Sequence, residues 1–545
     1  MVSTRQLVSL MIAACCCLAM ANARKSSAKA VSSDKQPSAR PPNVIIGAVD
    51  TVGGTTYDDQ FNGPEWRTLV NSAGHGMYVV WMYSSTNSVL FPDRNMRCNY
   101  YDGSLRQWIY GDPLYMRRGL TVFSRRAGFG GIDADTNGIP YISGHAVFDS
   151  SARPWVAKAE TSSYSDSTIT ACMYPAIAVG RNGTVHVLAA TSSYQLTYCR
   201  ITSDSWPHWS APMSGIVPSP GSETQNIAAS KVSDKVALAW VTHDSGFAYY
   251  MQSTDGGSTW GPPTELASPA AYGGDTATVF YLASLFPYYD RHDRLHFVAG
   301  VSPKVNDTVR TMPSQIWHWC PDNDTPWARI HVAGCNPANL HGIVGYGAAY
   351  ACRPSIGEDD KNVLYVAWEQ FDSVNVESTT SCLRADIFYS KDNGDNGRTW
   401  HAGARITEQG TWSCRFPSAI DYFTDDTFRV AYMMDQQAGL FAVGQGTVSY
   451  NPIIVQKVPV GPPGIEACKG QPETSPAIAT FSRGLLFLPS VRGPKTQYRA
   501  TLLDAGGRTV MDLKPGPNDV RRLAPGVYFV REAQAPAMRK VVVTR

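Results

Sequence analysis

Three arginines, Arg67, Arg353 and Arg415, each stand just ahead of an apolar run that reads as a strand, and the matching positions elsewhere in the chain hold Gly131, Tyr174 and Gln225. A guanidinium offers a planar fork of donors, so three of them converging on one point would hold a carboxylate. Tyr174 and Gln225 would add a phenol and an amide, which makes these five side chains the candidate ligand-binding set. Carboxylates available by type and rough position are Asp58, Asp59, Glu223, Glu369 and Glu377. The competing expectation is that each arginine pairs with an acidic neighbour of its own chain. His186, His243 and His296 are scattered among strand-like runs and read as strand residues, not metal ligands. Asp322-Asn323-Asp324 lacks the further glycine and glutamate of a calcium loop. No nucleophile elbow, P-loop or H-E-x-x-H occurs, so neither a metal nor a cofactor is expected.

What must position these residues is a repeat. The 545 residues are only 17% charged and include 46 glycines, 36 prolines and 11% aromatics, a mixture that suits many short strands joined by tight turns. Seven segments align on their second strands: 68–83, 132–147, 175–190, 227–241, 284–300, 354–369 and 417–433. Several place apolar residues at alternate positions, as in Val185-His186-Val187-Leu188-Ala189 and Leu364-Tyr365-Val366-Ala367-Trp368. Six are followed by a tryptophan: Trp108, Trp155, Trp209, Trp260, Trp327 and Trp400. A unit of this size cannot bury both faces alone, and radial stacking does it. The expected fold is therefore all-β: a β-propeller over 43–460, followed by a small C-terminal β-sandwich. Seven blades are expected, with six as the alternative if the glycine-rich stretch Gly128-Phe129-Gly130-Gly131 belongs to an insertion. A lone strand at 43–49 would complete the seventh sheet, making the arginine-bearing units six, seven and one neighbours.

The turn Ser253-Thr254-Asp255-Gly256-Gly257-Ser258-Thr259-Trp260 carries the strongest local signal. Its aspartate is placed to accept backbone N–H bonds, and its glycines supply positive φ. The pattern resembles the Asp-box of sialidases and other bacterial-neuraminidase-repeat (BNR) propellers. Ser253, Asp255, Gly257 and Trp260 are its structural residues. A second copy is read at Ser390, Asp392 and Gly394, with a three-residue insertion before Arg398-Thr399-Trp400. The 322–327 stretch is taken as a degenerate copy ending at Trp327. The resemblance implies that these turns lie at the blade periphery with a structural role. It also implies an alternative function, sialidase-like exo-glycosidase activity, in which the three arginines clamp the sialoside carboxylate beside a tyrosine nucleophile and paired acids. The family's F/Y-R-I-P start is absent. Cys414-Arg415-Phe416-Pro417 and Cys352-Arg353-Pro354 are partial echoes at the other end of the chain.

The termini speak to export. Arg5 precedes an apolar run to Ala21 and then Ala21-Asn22-Ala23, a small-x-small cleavage pattern, so 1–23 reads as a signal peptide. A lipobox-like reading at Cys15 is the alternative. Residues 24–42 are rich in Lys, Ser, Ala and Pro and read as a disordered linker. A second linker spans 461–480. Over 481–545, Leu503-Asp504 with Gly507-Arg508-Thr509-Val510, then Leu523 to Gly526 with Tyr528 and Arg531, then Lys540-Val541-Val542-Val543, closely resemble the C-terminal sorting domain of type IX secretion substrates. That resemblance implies outer-membrane secretion machinery as a partner. It places the protein outside the cell or on the surface of a bacterium with an outer membrane. Nine cysteines remain after cleavage, with no C-x-x-C, and Cys320 with Cys335 is the nearest pair for a disulfide.

The net charge of +2 gives no electrostatic case for nucleic acid. No apolar segment beyond the leader is long enough to span a membrane. The sequence thus leads to an exported propeller that binds a glycan or a surface protein without catalysis, with sialidase-type hydrolysis as the alternative.

Overall fold

A computed structural model describes residues 46–543, apart from 62–64, 74–75, 113, 149–150, 159–162, 166–170, 215–223, 243–245, 270–276, 306–307, 461–479, 483–484, 489–499, 505–507, 515 and 533–538. The leader and first linker, Cys15, Glu223, His243, Cys468 and nearly all of the second linker therefore lie outside the described residues. The chain divides into two compact units, 1–462 and 463–545.

The first unit is a seven-bladed β-propeller. Its blades begin at the axis with the inner strands Leu69–Asn71, Ala127–Gly128 with Ile132–Ala134, Cys172–Val179, Thr224–Ala229, Ala277–Tyr289, Ala351–Asp359 and Ser413–Ala419. Each inner strand pairs antiparallel with a second strand, and two further strands complete the sheet outward. The alternating pattern of the second strands is the reason that the sheets stack. In Val236–Val241 all six residues are buried. Val236, Leu238 and Trp240 join one apolar core, while Ala237, Ala239 and Val241 join another with Phe280, Leu285 and Phe297 of the next blade. One strand thus seals two interfaces.

The ring closes in blade 7, where Ala48–Thr55 forms the outermost strand against Asn451–Pro459. This closing strand starts later than the 43–49 reading. Gly53 and Gly54 carry no apolar signal, yet a Cβ on Gly53 would sit 2.2 Å from the Trp81 ring, so the close approach of strand to indole demands glycine there. The irregular glycine-rich stretch is a bulge, not an insertion. Residues 127–128 and 132–134 both pair with Pro140–Phe148, with Phe129 at positive φ between them. The apolar run 440–443 is not a strand but holds a 3-10 turn at Phe441–Val443.

The inner strands run away from one face of the ring, called here the mouth. The turns after the third strands therefore lie on the opposite face. In the first such turn Asp255 accepts from the N–H groups of Ser258 and Thr259 at 3.0 and 2.9 Å and from the Thr259 hydroxyl at 2.7 Å. Ser253 Oγ receives Gly257 N at 2.8 Å. The second turn is built in another register than the sequence reading gave it. Thr399 N and Oγ1 donate to Asp395, not Asp392, and Asp392 takes the serine's part by receiving Gly397 N at 2.9 Å. The match is Asp255 with Asp395 and Gly257 with Gly397, so one inserted residue suffices.

Both turns dock on the preceding blade through a histidine pair or its equivalent. Gly257 lies against Tyr198, whose hydroxyl is 2.7 Å from His186 Nδ1. Gly397 O is 3.0 Å from His318 Nδ1, and His318 Nε2 is 2.9 Å from His296 Nδ1. A carbonyl only accepts, so His318 must donate from Nδ1 and accept at Nε2. His296 then donates from Nδ1, and its Nε2 lies 3.2 Å from Asp290 Oδ2. Burial opposes a charge on His296, but the Asp290 carboxylate holds its pKa up at about 9. His186 and His296 are thus wedges between blades.

Cys320 and Cys335 are both free thiols, which corrects the expected pairing. Cys320 contacts Asn396 of the second turn, and Cys335 lies against Met312. Sequence proximity had suggested a bond between side chains that the blade sends to different neighbours.

The second unit is also all-β. A five-stranded sheet orders Thr480–Ser482, Arg539–Val543, Gly526–Glu532, Ala500–Leu503 and Thr509–Leu513, and Leu485–Leu488 pairs separately with Gly516–Asp519. Leu486, Leu502, Val530 and Val541 form its core. Among the described residues no helix is long and apolar enough to cross a membrane, and no group of three or more His, Cys, Asp or Glu is placed to hold a metal ion.

Candidate functional site at the channel mouth

In four blades the inner strand carries a bulge at the mouth, and the bulged residue has positive φ: Phe129, Tyr174, Arg353 and Phe416, at 55°, 55°, 55° and 60°. Three of them precede a proline, and the paired register slips at each of those three positions. Bulky residues in this region are strained, and the bulge re-aims their side chains toward the axis.

Arg353 and Arg415 do converge on a carboxylate, but it belongs to the protein. Glu369 lies on the second strand of blade 6, fully buried, between the two guanidiniums. Arg415 Nε and Nη2 donate to it at 3.2 and 3.3 Å, Phe416 N adds 2.9 Å, and Arg353 Nη1 completes the set. Burial alone would raise its pKa, yet Arg415 and Arg353 hold it down at about 2. Arg67 is turned elsewhere. It donates to the carbonyls of Ala419 and Ile356 at 2.9 and 3.0 Å and lies over Phe286 and Tyr288. The three-arginine clamp of the sequence reading is therefore corrected to two arginines closed on Glu369 and a third that ties blades 6 and 7 to blade 1. Gln225 is fully buried and gives its amide to Tyr174 O at 2.7 Å.

Between the outermost strand of blade 7 and the inner strand of blade 1, residues 56–61 and 65–66 are buried. Asp58 accepts from Phe441 N and from Ala442 N, the latter at 3.0 Å, while Gln60 exchanges hydrogen bonds with the backbone of Met82. Burial raises Asp59 to about 7 and Glu65 well above its usual range, and among the described residues neither carboxylate oxygen of Glu65 has a hydrogen-bond partner. The axial cavity is narrow, about 60 Å³, between the inner strands.

An aromatic and cationic cluster lies at the mouth over blades 1 to 3, built on the buried ring of Phe129 and carrying the exposed Arg125 and Arg126. Phe129 is its hub: Tyr57, Trp66, His145 and Tyr174 surround the ring at 5.8, 6.4, 5.5 and 5.6 Å. Arg94 lies over the same ring at 4.6 Å, and Arg125 over Phe148 at 4.5 Å. Arg126 donates to the carbonyls of Phe91 and Leu90 at 3.0 and 3.1 Å. Among the described residues no carboxylate stands within ion-pair distance of these three arginines. Burial, with Arg94 and Arg126 beside it, lowers His145 to about 3, and Tyr174 N donates to its Nδ1 at 3.1 Å. The ring is thus neutral with its proton on Nε2. Burial and the neighbouring Arg94 lower Arg126 to about 10, so it stays cationic at neutral pH.

Tyr174 was the one sequence candidate in this cluster. Arg94, Arg125, Arg126 and His145 were missed. The Arg125-Arg126 pair next to the glycine-rich bulge was the available signal, but it stands in a loop between blades and not at a strand start.

No protein-family model matches the chain, and no curated protein matches it. Among solved structures, a polysaccharide lyase described as an ulvan lyase of a new family aligns with a TM-score of 0.46 at 12% identity, covering 75% of this chain and 95% of that one. An oligogalacturonate lyase from Vibrio parahaemolyticus aligns at 0.37 and 9%, covering 76% and 99%. The β-propeller domain of the Trilobed protease from Pyrococcus furiosus aligns at 0.35 and 10%, covering 73% and 100%. At TM-scores below 0.5 such likenesses assign no chemistry to this chain.

Proposed function

We propose that this protein is an exported propeller that binds glycans carrying acidic groups at the mouth over blades 1 to 3, without catalysis. The observation that supports this reading is the set Arg94, Arg125 and Arg126, two of them stacked on aromatic faces and none within ion-pair distance of a carboxylate among the described residues. The aromatic faces hold the guanidiniums in place, and the exposed Arg125 and Arg126 are free to take a carboxylate or sulfate of a sugar. Hydrolysis of sialosides is disfavoured because Glu369 already occupies Arg353 and Arg415.

A glycan array read at low and high salt tests the proposal. Acidic glycans are expected to bind, to weaken with salt, and to lose about tenfold or more in affinity in the Arg94→Ala and Arg125→Ala variants. Binding to neutral glycans alone, or release of product from a fluorogenic sialoside, would sink the proposal. Export is part of the same reading: removal of 481–545 is expected to retain the protein inside a host with an outer membrane, as fractionation would show.

A further inference from the structure

On the face opposite the mouth, between blades 2 and 3, lies a cleft of about 390 Å³, larger than the axial cavity. Its position follows from strand direction, because its walls are the turns after the inner strands and the ends of the third strands. The volume falls in the range of small-ligand sites.

One wall is aromatic. Trp206, half-buried, meets Tyr141 edge to face at 5.4 Å, with Lys158 Nζ 5.6 Å from the Tyr141 ring centre. A short 3-10 turn at Ser203–Ser205, closed by reciprocal bonds between Thr202 and Ser205, presents the indole. The other walls are polar. Asp135 Oδ1 accepts from the N–H groups of Asn137 and Ile139, both at 2.9 Å, and its second oxygen has no partner among the described residues. Asn137 is exposed, and Asn182 gives its Nδ2 to Asp234 at 2.9 Å, leaving its carbonyl oxygen. The charge here is balanced. Arg181 is matched by Asp234 in a two-pronged pair at 2.9 and 3.0 Å, and the cleft is lined by one further cation, Lys158, and one further anion, Asp135.

An indole platform ringed by carboxylate, amide and hydroxyl groups with no net charge suits a ring that has one apolar face and several hydroxyls. We propose that this cleft is a second binding site, independent of the mouth, for a neutral hexopyranoside. The sugar would stack on Trp206, and the Asp135 carboxylate and Asn137 amide would take its hydroxyls. It differs from the mouth in ligand class, since the mouth presents a cluster of arginines and the formal charges of the cleft sum to zero.

The test uses the mature chain carrying Arg94→Ala and Arg125→Ala, so that the mouth does not contribute. A panel of methyl hexopyranosides and their oligomers is followed by calorimetry and saturation-transfer NMR. At least one neutral sugar is expected to bind this background as it binds the wild type, and to weaken about tenfold or more with Asn137→Ala and with Trp206→Ala. Asn137 is exposed, so its variant keeps the test sound even if Trp206→Ala folds poorly. The proposal is overturned if no neutral sugar binds the background, or if binding is unchanged in Asn137→Ala. Either result leaves the mouth reading intact, since that reading is judged by acidic glycans on the wild type. Conversely, loss of acidic binding alone leaves the cleft standing.

Discussion

Glu369 is the carboxylate around which the charge of the mouth is arranged, and its surroundings predict what losing it would do. Glu369→Gln leaves two buried guanidiniums without a counter-charge, a change expected to cost about 3–5 kcal/mol in urea unfolding. Its pKa is depressed to about 2, so its contribution is present above the ordinary glutamate range and is lost as pH falls toward 2. Asp59 has the opposite sign. Burial raises it to about 7, so the folded state holds a proton that the unfolded chain releases near pH 4, and stability declines as pH rises from about 4 to about 7. Asp59→Asn, which needs no proton, should therefore melt higher than the wild type at pH 8 and show no gain at pH 4, as scanning calorimetry would reveal. If the two proteins keep the same difference at both pH values, folding does not raise the pKa of this carboxyl. The arginine pair was legible in the sequence as a carboxylate clamp. Its occupant was not, because Glu369 reaches it across a blade and spacing in sequence says nothing about that.

Elements show where pattern reading succeeds and where it slips. Second strands such as Val236–Val241 were readable because each alternate residue serves a different interface, and that demand writes itself into the chain. Turns were readable by type but not by register. In the second turn two aspartates, Asp392 and Asp395, stand three apart, and composition alone could not say which one caps Thr399. Asp395→Ala is expected to cost about 1–2 kcal/mol through the lost caps. Gly257→Ala should cost more than about 1 kcal/mol, since φ is +78° and the new Cβ would lie 1.9 Å from the Tyr198 hydroxyl. Both are read by thermal melts, and an unaltered melt for Asp395→Ala would return the cap to Asp392. The bulges at Phe129, Tyr174, Arg353 and Phe416 escaped notice because a strained residue before proline or glycine leaves no periodic trace.

For the whole molecule, the two-unit division predicts that residues 46–462 fold alone. Their melting temperature should match that of the propeller transition in the full chain, a comparison that calorimetry makes directly. A variant lacking 46–55 should fare differently, with blade 7 left at three strands and Asn451–Pro459 exposed as an edge. Broad, early unfolding and self-association in light scattering are expected. The pairing of Ala48 with Lys457 also orders events in time. The strand made first is the strand that waits longest, and until the chain is complete it has no partner. Every partly made propeller is thus an open arc with one unpaired edge, and only arrival of the last blade turns it into a closed ring. Long-range pairing of this kind makes folding slow, so closure of the ring is the step that comes last.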